Sequence, residues 1–230
     1  MASNSPALGL RRRPQLSEEV ASLLRHKIMT AELLPGAPIR MDETAVELGV
    51  SVTPVREALL MLRGEGMVDS APHRGYVVAE LSRTDVEDIF WLQGEAAGKI
   101  ARRTAGMIGD EDLQVLVAAN ERLRDAVEAG DAAAIADAEF DFHRSHNRIS
   151  ASSKLAWFLR SATRYTPHQM YAADPDWGAA ALESHRRLIE AYRARDPQAA
   201  AAAIQMQFTD GAARLIAHLD GTDIWTEKIP

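Results

Sequence analysis

The chain contains no cysteine, which excludes disulfides, thiolate metal sites and cysteine nucleophiles. It has no apolar run approaching the roughly 20 residues that a membrane-spanning helix needs, so no membrane partner is expected. Arg11, Arg12 and Arg13 stand near the N-terminus, but an amphipathic stretch rather than a continuous apolar core follows them. A secretory signal is therefore not expected, and the cytoplasm is the expected compartment. Glycine-rich phosphate loops, nucleophile elbows and His-Glu-x-x-His motifs are missing as well. From Ser82 onward there is no strand-like alternation.

What remains is 47% hydrophobic and 26% charged over 230 residues, the proportions of a soluble globular protein with one large domain or two ordinary ones. The net charge of −7 runs against phosphate neutralisation as a binding mode. Its distribution softens that objection. Residues 1–80 carry nine Lys/Arg against ten Asp/Glu, whereas residues 81–230 carry 17 against 23. The acidity sits mainly in the second part, and a near-neutral first part can still present a positive face.

Residues 1–16, with Pro6, Pro14 and the arginine run, read as a flexible arm. A first helix fits about 17–30, with Ser17 as N-cap and Val20, Leu23, Leu24 and Ile28 at helical spacing. After the Pro35-Gly36 turn, a short amphipathic segment from Asp42 to Leu48 ends in Gly49. A further helix is expected from about Thr53 to Gly64. Two short helices joined by a tight glycine turn form a helix-turn-helix pattern. Ala45, Leu48, Val50, Val55, Leu59, Leu60 and Leu62 are its candidate packing residues. Pro54 falls in the first turn of the second helix, where its missing N–H costs nothing. Ser51, Thr53 and Arg56 fall at that helix's N-terminal end, the end such motifs push into the major groove. Met67–Ser70 and Tyr76–Val78 flank a segment containing His73, Arg74 and Gly75. This reads as a hairpin wing with a cationic tip, able to reach phosphate or the minor groove.

Taken in order, Leu34-Pro35-Gly36, Leu48–Leu59, Glu65-Gly66-Met67-Val68 and Arg74-Gly75 resemble the GntR family of bacterial regulators across nearly all of residues 17–80. The resemblance implies a winged helix-turn-helix DNA-binding domain over 17–80, with Arg56 as a DNA contact. Relatives commonly carry a DNA-contacting arginine where this chain has Val52. Valine cannot make a bidentate guanine contact, which is worth about 1–3 kcal/mol of discrimination. DNA binding with an altered operator preference is therefore expected.

In residues 81–230, helical periods are separated by breaks at Gly106–Gly109, Gly130-Asp131, Ala151–Ser153, Asp174–Gly178 and Asp196-Pro197. Ser82 with Asp85 reads as a capping box, and Asp196 as a cap before Pro197. The expected fold class is mainly α: about six helices in an antiparallel bundle, behind three helices and a wing.

This second part resembles the all-helical FCD sensor of the FadR-like branch of the GntR family, a domain for effector binding and dimerisation. Many such sensors hold a divalent metal with an Asp and a His one turn apart and two later histidines. Here Glu139 and His143 are an i, i+4 pair that can face one cavity, and His185 falls at the third position. Gln207 stands in the place of the last histidine, and a neutral amide is a poor ligand for zinc-like ions. Two readings stay open: one divalent ion (Zn, Ni or Mn) on Glu139, His143 and His185, or a metal-free pocket in which His143, His185 and Gln207 bind the effector directly. Trp91 replaces an arginine that many relatives carry near the pocket. His146 reads as a further ligand or as polar surface. Arg160 and Arg164, near His168, Tyr165 and Tyr171, are candidates for gripping a carboxylate, and otherwise belong to an amphipathic helix. Trp91, Trp157 and Phe158 read as core or interface.

The expected function is a ligand-responsive transcriptional repressor that is not an enzyme. As a homodimer it would bind a pseudo-palindromic double-stranded operator and sense a small molecule, a carboxylate in the leading case. A metal-dependent enzyme with a DNA-binding appendage would need a second set of groups dedicated to chemistry, and the sequence offers none. A regulator acting through protein contacts alone is the third reading.

Overall fold

A computed structural model describes residues 14–72 and 75–225. The N-terminal residues assigned to a flexible arm as far as Arg13, and His73 and Arg74 at the expected wing tip, lie outside the described residues. Contacts divide the chain into two compact units: residues 1–28 with 33–79, and residues 29–32 with 80–230. No helix among the described residues is long and apolar enough to cross a membrane.

The first unit contains α1 (Pro14–Met29), β1 (Pro38–Ile39), α2 (Met41–Leu48), α3 (Val52–Gly64), β2 (Val68–Ala71) and β3 (Gly75–Val78). The strands form an antiparallel sheet in the order β1-β3-β2. Val20, Leu24 and Ile28 of α1 are buried with Ala45, Val55, Leu59, Leu62, Met67 and Val78. Gly49 ends α2 at φ 65, where its N–H returns to carbonyls of the last turn; a residue with a Cβ is strained there. The nearly buried Arg25 holds Glu65 through two hydrogen bonds of 2.6 and 2.9 Å, tying α1 to the end of α3.

Three expectations need correction in this unit. α1 starts at Pro14, so Ser17 is not its cap but a buried helical residue whose hydroxyl donates to the Glu57 carboxylate. Proline suits a helix's first turn, which let the helix begin earlier. Leu60 is 44% exposed, because the buried stripe of α3 runs through Val55, Ala58, Leu59 and Leu62. The strand β1 was not expected, being too short to show alternation.

The second unit contains α4 (Arg83–Met107), α5 (Asp110–Ala129), α6 (Ala132–Ile149), α7 (Ser153–Ala162), α8 (His168–Ala172), α9 (Pro175–Arg193) and α10 (Pro197–Leu219), with a 3-10 turn at Thr163–Tyr165. Ser82 and Asp85 form the expected capping box. Asp131, Asp174 and Asp196 cap α6, α9 and α10 with side-chain hydrogen bonds. Seven α-helices stand where about six were expected, because the stretch after Ser153 breaks before α8. Pro167 explains the break: it disfavours helical geometry at Thr166, which is extended.

α4 packs along α10, and α5 packs on both α6 and α9. Their shared core includes Ile100, Leu116, Phe142, Leu188, Tyr192 and Ile204. Gly178 lets α9 approach α5 closely: a Cβ there would stand 2.8 Å from Val127 Cγ2.

Candidate functional site

In the first unit, Ser51 precedes α3 as its N-cap residue without a side-chain cap bond. Ser51, Thr53 and Arg56 are exposed at the start of that helix, while Pro54, Val55, Ala58 and Leu59 face the core. The N-terminal turn of α3 thus offers a hydroxyl pair and a guanidinium to a partner, on a helix whose opposite face is locked. Val52 is half-buried beside them. Gly75 is exposed at φ 77 at the start of β3, where the chain enters the wing strand.

In the second unit, Glu139, His143, His185 and Gln207 come together from three helices. One turn of α6 carries Glu139 and His143, and their Oε2 and Nε2 are 3.2 Å apart. His185, from α9, places Nε2 3.1 Å from the same Glu139 oxygen. The Gln207 amide, from α10, donates to Glu139 Oε1 at 2.9 Å and approaches His143 Nε2 at 3.2 Å. Glu139 and His185 are buried, and the His143 side chain remains 28% exposed.

Asn120 on α5 completes the arrangement and was not foreseen from the sequence. Its Oδ1 lies 3.1 Å from His185 Nδ1, so Asn120 holds one ring nitrogen and leaves Nε2 facing Glu139. Phe142 stacks on the same ring, centroids 3.5 Å apart and planes 8° apart. The plane and direction of the His185 ring are therefore fixed.

Electrostatics agree with that geometry. Burial alone would push the Glu139 carboxyl up, but the imidazoles of His185 and His143 outweigh it and hold the group well below the usual carboxylate range. Burial pushes His185 down, and Glu139 only partly offsets this. The centre is an ionised carboxylate beside two imidazole rings. Glu139 Oε2 and His185 Nε2 are close, yet neither completes a hydrogen bond. Buried polar atoms left so call for a proton or a cation to join them.

The donor set suits a divalent ion. One oxygen of Glu139 and one nitrogen from each of His143 and His185 all lie within 4.8 Å of one another. Ligand atoms about 2.0–2.1 Å from a tetrahedral zinc stand roughly 3.3 Å apart, close to the 3.1 and 3.2 Å between donors here. Glu139, His143 and His185 are the residues that could hold it.

Other sequence candidates fall elsewhere. His146 is not surface but fully buried, with Nε2 hydrogen-bonded to the Tyr192 hydroxyl and its ring stacked on that phenol. Its place on the inner face of α6 one turn after His143 overrides its polarity. Arg160 lies on α7 and Arg164 in the following turn, both with exposed side chains, and neither belongs to the four-residue cluster. Trp91, Trp157 and Phe158 are 66%, 52% and 63% exposed, so the core reading fails for all three. His168 is exposed as well.

The comparisons with known proteins follow the same division. The model of the "Bacterial regulatory proteins, gntR family" matches residues 16–78, and that of the FCD domain matches residues 91–210. A protein named "Probable D-xylose utilization operon transcriptional repressor" from Paenarthrobacter nicotinovorans is 32% identical over 82% of this chain and 83% of its own length. The HTH-type transcriptional regulator McbR of Escherichia coli (strain K12) is 27% identical over 84% of this chain and 89% of its own. The solved structure of E. coli McbR/YncC superposes with a TM-score of 0.67 at 25% identity, covering 88% of this chain and 97% of that one. With a helix-turn-helix at one end and a helical sensor at the other, the chain belongs to the GntR family of bacterial transcriptional regulators, in the group whose second domain is an FCD domain.

Proposed function

We propose that the chain acts in the cytoplasm as a homodimeric repressor that binds a pseudo-palindromic operator through α3 and responds to a small carboxylate at a divalent metal held by Glu139, His143 and His185. The observation that carries the sensor half is the convergence of His143 Nε2 and His185 Nε2, 3.2 and 3.1 Å away, on one oxygen of the buried Glu139 carboxylate. A divalent cation would engage all three side chains through one atom each. A bound divalent ion there supplies open coordination positions for an anionic oxygen ligand. Glu139 contributes the charge, Asn120 and Phe142 orient His185, and partly exposed His143 forms the side open to solvent. The repressor assignment draws on the name of the Paenarthrobacter relative. Dimerisation belongs to the same reading, since a pair of recognition helices would match the two half-sites of such an operator.

In the DNA-binding half, Arg56 and the hydroxyls of Ser51 and Thr53 would read bases and phosphates, with His73, Arg74 and Gly75 at the neighbouring backbone or minor groove. The deciding experiment is elemental mass spectrometry of untagged chain purified without chelator, repeated on His143→Ala. Near-stoichiometric zinc, nickel or manganese in the parent, with loss in the variant, supports the reading. If neither contains metal after soaking in each ion, the sensor is a metal-free pocket in which His143, His185 and Gln207 bind the effector by hydrogen bonds.

A further inference from the structure

Gln207 stands where it interferes with the site it completes. Its amide nitrogen is 2.9 Å from Glu139 Oε1 and 3.2 Å from His143 Nε2. The orientation is chemically enforced, because an ionised carboxylate only accepts and the amide oxygen turned toward it would repel. That oxygen instead faces the Ser184 hydroxyl at 3.4 Å. An amide nitrogen only donates, so one N–H is aimed at His143 Nε2 and takes its lone pair in the tautomer that leaves that nitrogen bare, and the other partly neutralises Glu139. An imidazole nitrogen has one lone pair, so His143 cannot accept from Gln207 and ligate a cation through the same atom.

We propose that Gln207 is a tethered competitor for the cation: its amide closes the site when no ion is bound and must turn away from His143 before one binds. This rests on the reading of Glu139, His143 and His185 as divalent-metal ligands. The amide meets the needs of Glu139 Oε1 and His143 Nε2 but not those of Glu139 Oε2 and His185 Nε2, so closure is partial and reversible. The site then exchanges its ion rather than retaining it, and each exchange moves a side chain of α10.

The competitor role and a ligand role predict opposite signs. Zn2+, Ni2+ and Mn2+ are titrated separately, by calorimetry, into the full-length chain and its Gln207→Ala, Gln207→Leu and Gln207→His variants. Removing the amide while keeping all three donors should tighten binding roughly tenfold in Gln207→Ala, the worth of about one hydrogen bond. Gln207→Leu, which keeps bulk on α10, should tighten likewise, and Gln207→His should bind most tightly. Weaker or unchanged binding in the Ala and Leu variants overturns the proposal, making Gln207 a ligand or a bystander. If no variant, Gln207→His included, binds any ion, the metal reading itself falls and this one with it. An independent readout is the Gln207 side-chain amide signal in 15N NMR, assigned by its loss in Gln207→Ala. Saturating Zn2+ should shift it, and a signal that stays in place overturns the proposal.

Discussion

Glu139 Oε2 lies 3.1 Å from His185 Nε2, while the other nitrogen of that ring is held by Asn120 Oδ1 at 3.1 Å. Asn120 thus decides which nitrogen of His185 faces the carboxylate. Partners that orient a metal-binding histidine typically govern ten- to hundredfold in affinity, roughly. Asn120→Ala is expected to lose about that much Zn2+ affinity in competition with a chromophoric chelator, with the helical circular dichroism unchanged. Equal affinity in the two proteins would show that Phe142 alone suffices to hold the ring.

Arg56 is exposed on the first turns of α3, while the residues around it anchor the helix to the core. Arg56→Ala should leave thermal stability within about 0.5 kcal/mol and weaken specific DNA binding by about 1–3 kcal/mol. The check is a gel-shift titration on fragments selected from a randomised DNA library by the parent protein. Undiminished affinity there would place the DNA contact elsewhere.

Val52 opens α3 and is half-buried. A guanidinium at that position adds a group able to pair with a guanine edge. Val52→Arg should shift the sequences recovered from the same library toward guanine at one position per half-site, a discrimination of about 1–3 kcal/mol. Identical selected sequences would mean that position 52 does not reach the bases.

His146 is fully buried, and burial with the neighbouring charge of His143 pushes its pKa down to about 3. In the unfolded chain it titrates near about 6.5. Between those values the unfolded state binds a proton that the folded state refuses, so this contribution is complete above the higher value. It declines as pH falls toward the lower one, by about 1.4 kcal/mol per unit. His146→Phe keeps a ring against Tyr192 but cannot charge. From pH 7 to pH 5, its unfolding free energy in urea should fall by about 2 kcal/mol less than that of the parent. Parallel declines would assign acid sensitivity to other groups.

The elements with repetitive patterning were legible in the sequence. Ser82 with Asp85, Asp196 before Pro197 and Gly49 after Leu48 each carry a local rule that tertiary packing left intact. Ser17 was misread and the break at Pro167 was missed because each sits where two local rules compete. Proline at position 14 started α1 ahead of the serine, and proline at position 167 broke a stretch that hydrophobic spacing alone reads as continuous. Within the site, Glu139, His143, His185 and Gln207 could be picked out because a resemblance fixed their positions. Asn120 could not, since its role depends on α5 lying beside α9, and nothing near it in the chain marks that contact. His146 was misplaced for the same reason: a single polar residue does not reveal that its helix face turns inward.

Asp131 caps α6, and that one helix carries both Glu139 and His143, one turn apart. Two of the three donors are therefore a property of one local segment, while the third waits on long-range docking of α9. Were α6 to form before α9 docks, the centre would assemble in two steps. A refolding chain that meets divalent ions would then present a two-donor half-site early, and an ion captured there would also bind the unfolded ensemble to some degree. The gain in stability from added metal should accordingly fall short of what the affinity of the folded protein alone implies. Refolding in excess ion would become a contest between early capture on α6 and correct arrival of His185.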